Sequence, residues 1–257
     1  MNKYLVIGNP IEHSLSPLLH NYWFKKHGIL NSIYEKQKVD KGDLKRIIEQ
    51  VKNGEIKGVN VTVPFKREIF EYLDSYSHEV KLTKSVNTIL KEGNKVVGYN
   101  TDQGGFEISL QKKNWKSEGK KILILGAGGA TPSILLTFVK ANGDNKIYLC
   151  NRTRDKAEKL KEFWDKTINL FGKNKSSIEI IDWGKKIEMC DLVINTTSVG
   201  LSKDENISYD FSDYDNNKDT LFYDLIYNPK ETNFLKEAKL RGNRTMNGKL
   251  MLSLIHI

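Results

Sequence analysis

The sequence predicts an α/β protein of two consecutive units, the second of which is built on a doubly wound parallel sheet. From about residue 101 onward, short apolar strands alternate with helical stretches, a pattern typical of parallel sheets covered by helices. The apolar strand Lys121–Leu125 also runs straight into a glycine-rich turn that opens another helix. At 257 residues the chain can bury two cores. We expect units at 1–101 and 102–231, and a closing segment, 232–257, that returns to the first unit.

The first unit is predicted to open with a strand and to continue with mixed elements. Ser16 and Pro17 are typical of a helix cap and a first-turn proline, and residues 43–52 place Leu44 on an apolar helical face. The predicted elements are strand 3–7, helix 16–26, strand 32–39, helix 43–52, strand 59–63, helix 67–73, and a hairpin of strands 86–90 and 95–99.

The second unit is predicted as strands separated by helices. Its strands are short and apolar, as expected when both faces of a parallel sheet are covered. The predicted elements are helix 105–112, strand Lys121–Leu125, a helix after the glycine turn, strand 147–150, helix 155–170, strands 178–181, Leu192–Asn195 and 221–225, and helix 232–241.

Composition and charge indicate a globular protein with small anionic ligands. Apolar residues make up 39% and charged residues 28% of the chain, which excludes general disorder. The net charge of +9 favours anionic partners, with a solvated lysine-rich surface as the alternative explanation. Because the lysines are spread along the chain without a basic stripe or an aromatic platform, we expect no nucleic-acid partner.

Apolar patterning and cysteine usage predict a cytoplasmic protein. The N-terminal apolar run 4–7 is too short for a signal peptide. The longest uncharged stretch, 122–139, is interrupted by glycines and Pro132, so we expect no membrane span. Cys150 and Cys190 belong to no CxxC pair, which argues against a zinc site or a disulfide framework and suits a reducing compartment.

Three histidines recur every seven residues, but we expect no metal site. The spacing of His13, His20 and His27 is two helical turns, too far along a helix for neighbouring side chains to share one ion. Pro17 also separates the first of them from the other two.

The glycine turn predicts a dinucleotide site. Glycines permit a tight turn and close approach to a pyrophosphate, and the following helix start offers unpaired N–H groups to the anion. Thr131 stands where the usual fingerprint has Gly or Ala, and a purely structural tight turn is the alternative. The predicted cofactor residues of the turn are Gly126, Ala127, Gly128, Gly129 and Ala130.

The loop after the next strand predicts NADP in preference to NAD. NAD sites usually place Asp or Glu there to bind the ribose 2′-hydroxyl. Residues 151–154 hold no carboxylate but contain two arginines, and Arg binds phosphate in a bidentate way. Arginines at the surface near a helix start are the alternative. We expect Asn151, Arg152, Thr153 and Lys156 to contact the cofactor.

Polar segments of the first unit point to a ligand site at a sheet edge. Each follows or lies within a predicted strand and offers hydroxyl, amide or charged groups where ligands of open α/β sheets collect. These segments are 13–17, 60–66, 85–88 and 98–102.

Together with the glycine turn, these segments resemble the shikimate dehydrogenase family over nearly the whole chain. Residues 195–200, 224–229 and 247–252 are also similar to later motifs of that family. The resemblance implies an N-terminal substrate-binding domain and a C-terminal Rossmann-like NADP-binding domain. It also implies the NADPH-dependent, reversible reduction of 3-dehydroshikimate to shikimate by a monomer or homodimer.

The resemblance assigns a role to individual residues. Lys66 and Asp102 match the residues that handle the proton in the family, and an ammonium beside a carboxylate can supply a proton to a developing alkoxide. Asp102 can also cap the following helix. Thr196 joins the cofactor residues. The expected substrate-binding residues are Ser14 and Ser16, for the carboxylate, together with Thr62, Asn87 and Tyr227.

The last residues depart from the family. Ile255 occupies the position where the family has a substrate-contacting glutamine, and 252–257 is the peptide that a transposon-end sequencing adapter encodes. We therefore expect this tail to be an addition to a shortened chain, with a genuine short terminus as the alternative. Two alternative functions stay open, a quinate/shikimate dehydrogenase and a non-catalytic ligand-binding domain on the same fold.

Overall fold

The chain folds into two compact α/β units. The computed structural model describes residues 1–141, 143–169, 176–202 and 204–255. Contacts divide the chain into Met1–Gln103 and Gly104–Ile255, so the division falls two residues beyond the predicted boundary. In the described ranges, every helix is too short or too polar to cross a membrane.

The first unit is a six-stranded mixed sheet. Its strand order is β2-β1-β3-β5-β6-β4, with β1, β2 and β3 parallel and β5 antiparallel to both of its neighbours. Its elements are β1 (Asn2–Gly8), α1 (Ser16–Lys26), β2 (Ser32–Lys38), α2 (Leu44–Asn53), β3 (Gly58–Val61), β4 (Ser75–Tyr76), α3 (His78–Thr83), β5 (Thr88–Glu92) and β6 (Lys95–Tyr99).

The two faces of this sheet are covered differently. Strand residues such as Leu5, Val59 and Ile89 form one large core with the apolar stripe of α2, as the 3.6-residue spacing of that helix predicts. On the opposite face, a smaller cluster contains Val6 and Tyr34. The phenol ring of Tyr34 stacks under α1.

Helix α1 holds the edge strand β2 through two side chains. The ring of His20 stacks on Tyr34 at 4.1 Å between centroids. Asn21 donates from Nδ2 to the carbonyl oxygen of Tyr34 at 2.8 Å and accepts the N–H of Tyr34 at 2.9 Å. The polar backbone groups of β2 are therefore satisfied at this position of the sheet edge.

The second unit is an all-parallel six-stranded sheet of order β12-β11-β10-β7-β8-β9. The order reverses between β7 and β10, which is where open α/β sheets place their ligands. Its elements are α4 (Asp102–Gln111), which starts at the end of the first unit, β7 (Lys121–Leu125), α5 (Thr131–Lys140), β8 (Lys146–Cys150), α6 (Arg154–Ile168), β9 (Ser177–Ile180), β10 (Leu192–Asn195), β11 (Leu221–Asp224), α7 (Asn233–Leu240), β12 (Arg244–Met246) and α8 (Lys249–Ile255).

The structure corrects the expectation for the closing segment. Contacts group this part of the chain, as far as Ile255, with the second unit and not with the first. The physical reason is strand pairing, because β12 extends the parallel sheet beside β11 and α7 packs on both strands. The end of the predicted tail, 256–257, and the last residue of predicted helix 155–170 lie outside the described residues.

Two predicted helix starts are also corrected. Helix α1 begins at Ser16 itself, so Leu15 and not Ser16 is the cap residue, and Leu15 caps without a side-chain hydrogen bond. Helix α4 begins at Asp102, and the side chain of Asn100 accepts the N–H of Asp102 at 3.1 Å. Asn100 is therefore the residue that caps α4. Predicted helix 67–73 is a 3₁₀ segment at Glu68–Tyr72.

The half-buried imidazole of His20 predicts a pH dependence of stability. Burial lowers the pKa of His20 to about 4. The folded state thus binds fewer protons than the unfolded state between about pH 6.5 and 4. Stability present above pH 6.5 is lost as the pH falls, by at most about 3 kcal/mol. His20→Phe keeps a ring on Tyr34 and should flatten this part of the stability curve. Urea unfolding at pH 7 and pH 4.5 measures the free energy of unfolding of both proteins. If that free energy changes by the same amount between the two pH values in the parent and in His20→Phe, the prediction is contradicted.

Candidate active site

A buried ion pair lies in the first unit at the carboxyl end of β3 and the start of α4. The Nζ atom of Lys66 lies 2.5 Å from Oδ2 of Asp102, and the two side chains are 12% and 1% exposed. An ammonium carries three donors. Within the described ranges, Lys66 uses one of them on the protein. Two protons of Lys66 are therefore free for a ligand. We call Lys66 and Asp102 the buried ion pair.

Asn87 is the second support of the Asp102 carboxylate. Its Nδ2 donates to Oδ1 of Asp102 at 2.8 Å and to Oγ1 of Thr101 at 2.9 Å, and its side chain is buried. Its Oδ1 accepts the backbone N–H of Thr101 at 3.0 Å. The amide is fully engaged inside the protein, so its orientation is fixed by its neighbours.

Backbone bonds bring the loops that carry these residues together. Because β1 and β3 are parallel neighbours, their carboxyl ends meet at one edge, where the N–H of Thr62 donates to the carbonyl oxygen of Ile7 at 2.9 Å. The N–H of Val86 donates to the carbonyl oxygen of Lys66 at 2.7 Å, and the N–H of Val61 to that of Asn87 at 2.9 Å.

The predicted substrate residues Ser14, Ser16 and Thr62 lie at this end of the parallel strands. Ser14 and Ser16 are buried at the start of α1, and the N–H of Ser16 donates to Oγ of Ser14 at 3.4 Å. Thr62 is half-buried, and among the described residues its hydroxyl contacts no protein partner. Helix starts and hydroxyls favour an anion at this position.

The glycine turn lies at the carboxyl end of β7, where the sheet order reverses. Gly126 has φ +114°, and a Cβ there would lie 2.6 Å from Oγ1 of Thr196, so only glycine fits. Gly128 is exposed, with open space where a Cβ would point. In the described part of the chain, the N–H groups of Gly128 and Ala130 have no acceptor. These features fit a pyrophosphate at the start of α5.

Asn151 joins the glycine turn to the loop after β8. Its Oδ1 accepts the N–H of Ala127 at 3.1 Å, and its Nδ2 donates to the carbonyl oxygen of Thr153 at 2.8 Å. The two predicted cofactor segments therefore form one rigid edge. Gly129 and Ala130 are half-buried there.

The positively charged side chains of the loop after β8 differ in whether they already form ion pairs. Arg154 pairs with Glu158 at 2.7 Å and also with Asp182. Arg152 and Lys156 are exposed, and neither side chain forms an ion pair within the described ranges. Arg152 is therefore the guanidinium that can bind a ligand phosphate without giving up another partner.

Thr131 replaces the small residue of the usual fingerprint and has a structural role. Its Oγ1 is buried, donates to the carbonyl oxygen of Gly126 at 3.1 Å, and lies 2.9 Å from Oγ1 of Thr196. Thr196 also bonds to the carbonyl oxygen of Leu125 at 3.0 Å. The hydroxyl at this position ties the glycine turn to the loop after β10.

A buried carboxylate organises the loops after β10 and β11. Asp224 is fully buried and accepts from Nδ2 of Asn195 at 3.0 Å, from the N–H of Ile226 at 3.0 Å, and from Oγ1 of Thr232 at 2.6 Å. Burial raises the pKa of Asp224 to about 6, although these donors oppose the rise. The half-buried Tyr227 follows in the same loop.

The doubly wound unit, in whose described residues two N–H groups of the glycine turn and the guanidinium of Arg152 have no protein partner, has the features of a dinucleotide-binding class of protein. Residues 6–89 match the family described as the shikimate dehydrogenase substrate binding domain. Residues 108–232 match the family described as shikimate/quinate 5-dehydrogenase. The chain therefore belongs to the shikimate dehydrogenase family.

Relatives and solved structures agree over nearly the full chain. The NADP(+)-dependent shikimate dehydrogenase of Pelagibacter ubique is 48% identical, over 96% of this chain and 88% of that protein. The crystal structure of shikimate dehydrogenase from Aquifex aeolicus has a TM-score of 0.87 at 36% identity, covering 100% of this chain and 90% of that chain. That of the Thermus thermophilus enzyme with NADP(H) and shikimate has a TM-score of 0.83 at 28% identity, covering 99% and 90%.

These matches confirm the family, the fold class and the enzyme class predicted from the sequence, an NADP-dependent shikimate dehydrogenase. The individual site residues remain predictions, and the structure adds others. Sequence reasoning missed the links made by Asn60, Thr88 and Asp224, which become visible only once strand register and burial are known. A polar residue between two buried valines, as at Asn60, was the available signal.

Asp224 predicts a second pH effect on stability. Its folded pKa, about 6, lies above the ordinary value of 3.8. Its contribution is therefore full below pH 3.8 and is lost as the pH rises through 6, by about 3 kcal/mol. This slope opposes that of His20. Asp224→Asn should remove it, so that the variant loses less stability than the parent between pH 4 and pH 7. Denaturant titrations at both pH values measure the free energy of unfolding. If the parent and Asp224→Asn lose the same amount of that free energy between pH 4 and pH 7, the prediction is contradicted.

Proposed function

We propose that this protein interconverts 3-dehydroshikimate and shikimate with NADP(H), with Lys66 and Asp102 as its proton-handling residues. The observation that carries the assignment of these roles is the buried ion pair, whose ammonium keeps two protons free. The buried ion pair belongs to the first unit, which matches the substrate-binding domain of the family, and not to the Rossmann-like second unit.

The chemistry follows from the buried ion pair. When bound, the nicotinamide supplies the hydride that reduces a ketone. Lys66 donates a proton to the alkoxide that forms as the ketone accepts the hydride, and Asp102 holds the ammonium in place. In the reverse direction Lys66, as the neutral amine, accepts the hydroxyl proton. General acid–base catalysis of this kind contributes typically 10²- to 10⁴-fold.

The remaining predicted residues fit the substrate by their chemistry. The buried hydroxyls of Ser14 and Ser16 at the start of α1 suit the substrate carboxylate. The free hydroxyl of Thr62 suits a ring hydroxyl, and Asn87 reaches the same region beside Asp102. Tyr227 is proposed as a further substrate contact.

The cofactor residues are proposed on the same basis. The open turn from Gly126 to Ala130 receives the pyrophosphate, and the unpaired Arg152 receives the 2′-phosphate, with Thr153 and Lys156 beside it. Asn151 and Thr196 keep these segments in place. The buried, unbridged thiols of Cys150 and Cys190 support a cytoplasmic location.

Quinate is the second candidate substrate, because the description of the matching C-terminal family names it. Oxidation assays with shikimate and with quinate, each run with NADP and with NAD, separate the possibilities. We expect the highest kcat/KM for shikimate with NADP. Absence of turnover in all four arms would refute the proposed activity and favour a ligand-binding role.

Lys66→Ala tests the proton-handling role. We expect kcat to fall at least about 100-fold while the Kd for NADP stays within about twofold, because Lys66 lies outside the cofactor segments. Lys91→Ala, an exposed lysine of the same unit, is the matched control and should leave both values unchanged. Thermal unfolding identifies any loss of folded protein caused by the unpaired carboxylate. Unchanged turnover in folded Lys66→Ala would rule out the role.

Arg152→Ala tests the cofactor preference. Loss of a charge-assisted phosphate contact should weaken NADP binding about 10- to 100-fold and barely affect NAD. Arg154→Ala is the control, because its guanidinium is already paired with two carboxylates. Fluorescence titration with both cofactors measures the ratio. Equal losses of NADP and NAD affinity in Arg152→Ala would contradict the prediction. They would mean that Arg152 binds the pyrophosphate common to both cofactors or has a structural role.

A further inference from the structure

A continuous row of polar side chains crosses the α1 face of the first sheet and ends at the buried ion pair. The phenol of Tyr34 on β2 donates to Oδ1 of Asn60 on β3 at 2.5 Å. Asn60 donates from Nδ2 to Oγ1 of Thr88 on β5 at 3.0 Å. Thr88 donates in turn to Oδ1 of Asn87 at 3.1 Å. The first two links connect different strands, β2 to β3 and β3 to β5, and the last connects the sequence neighbours Thr88 and Asn87.

The row has a direction. Asn60 also donates from Nδ2 to the backbone carbonyl oxygen of Asn87 at 3.2 Å. Because that carbonyl can only accept, the amide oxygen of Asn60 faces the Tyr34 phenol, and the other N–H of Asn60 occupies the acceptor side of the Thr88 hydroxyl. The single hydroxyl proton of Thr88 is thereby directed at the oxygen of Asn87. The hydroxyl of Thr88 and the backbone N–H of Thr101 both donate to the oxygen of Asn87, so Asn87 presents its N–H₂ group to Asp102.

The opposite orientation of Asn87 would be unfavourable. A carbonyl oxygen would then lie 2.8 Å from the Asp102 carboxylate, which accepts but cannot donate when ionised. The buried carboxylate would lose a donor, and buried polar groups without partners are costly. The geometry of the ion pair thus depends on the orientation of one amide.

We propose that Tyr34, Asn60 and Thr88 are positioning residues that orient the Asn87 amide and so hold Asp102 as the acceptor for Lys66. We call these three residues the relay. The inference rests on the proposed proton-handling role of the ion pair. The relay touches neither substrate nor cofactor in this assignment, so its effect appears in turnover and not in cofactor affinity.

Thr88→Val and Thr88→Ser form the central test. Valine keeps the β-branched shape but lacks the hydroxyl, whereas serine keeps the hydroxyl. We expect Thr88→Val to lower kcat for shikimate oxidation about 3- to 10-fold with the KM for NADP unchanged, the range that one hydrogen bond of about 0.5–1.5 kcal/mol corresponds to. Thr88→Ser should recover kcat to within twofold. A Thr88→Ser variant as slow as Thr88→Val would overturn the proposal, and so would a Thr88→Val variant with parental kcat.

Tyr34→Phe tests the far end of the relay. It removes one hydroxyl and keeps the ring that stacks on His20. We expect a kcat loss similar to that of Thr88→Val, and the double variant should lose no more than the slower single variant, because both break one row. Tyr4→Phe is the control, since in the described residues the Tyr4 hydroxyl has no partner. Multiplicative losses in the double variant would indicate independent local damage and overturn the relay.

The parental enzyme separates the two levels of inference. If it oxidises shikimate with NADP and Lys66→Ala does not, the proposed function stands, and the relay variants then decide the relay alone. If the parental protein shows no turnover, or if Lys66→Ala is fully active, the proposed function fails first and the relay fails with it.

Discussion

The first unit is arranged around one constraint, the burial of the Asp102 carboxylate. A charge that is 1% exposed is stable only when each of its oxygens has a partner. Lys66 comes from the loop after β3, Asn87 from the start of β5, and Asn100 from the end of β6 fixes the backbone of Asp102 itself. Three loops distant in the sequence are thus held at one point by one carboxylate. The antiparallel pairing of β5 with both β3 and β6 makes this possible, because it places the end of β3, the start of β5 and the end of β6 at a single edge.

The second unit buries a carboxylate in a different way. Asp224 has no cation beside it within the described ranges and is held by an amide, a hydroxyl and a backbone N–H. Neutral donors do not fully replace the lost hydration, which is why burial raises the pKa of Asp224. One unit therefore keeps its buried acid paired with an ammonium. The other uses its acid to hold two loops together, where a full charge is not needed.

Local sequence patterns predict much of this structure, but not all of it. Strands Lys121–Leu125 and Leu192–Asn195 lie where predicted, because buried parallel strands are continuous apolar runs bounded by polar residues. The short strands Ser75–Tyr76 and Arg244–Met246 were missed, since their hydrogen bonds come from neighbours and their own sequences carry no period. The residue types of the site could be read from motifs. Their mutual orientation, such as that of Asn60 and Thr88, depends on register across strands that sequence patterns do not contain.

The two hydrogen bonds between the Asn21 side chain and the Tyr34 backbone affect whether two copies of this protein can pair through β2. Strand β2 is the outer strand of its sheet, and an outer strand can recruit the strand of another molecule through its open backbone groups. At Tyr34 both of these groups are already bonded to the amide of Asn21. Intermolecular sheet growth along β2 must therefore first break a contact made by α1. A single asparagine on a neighbouring helix thus protects this edge against intermolecular strand pairing, in addition to the charged side chains that β2 itself carries.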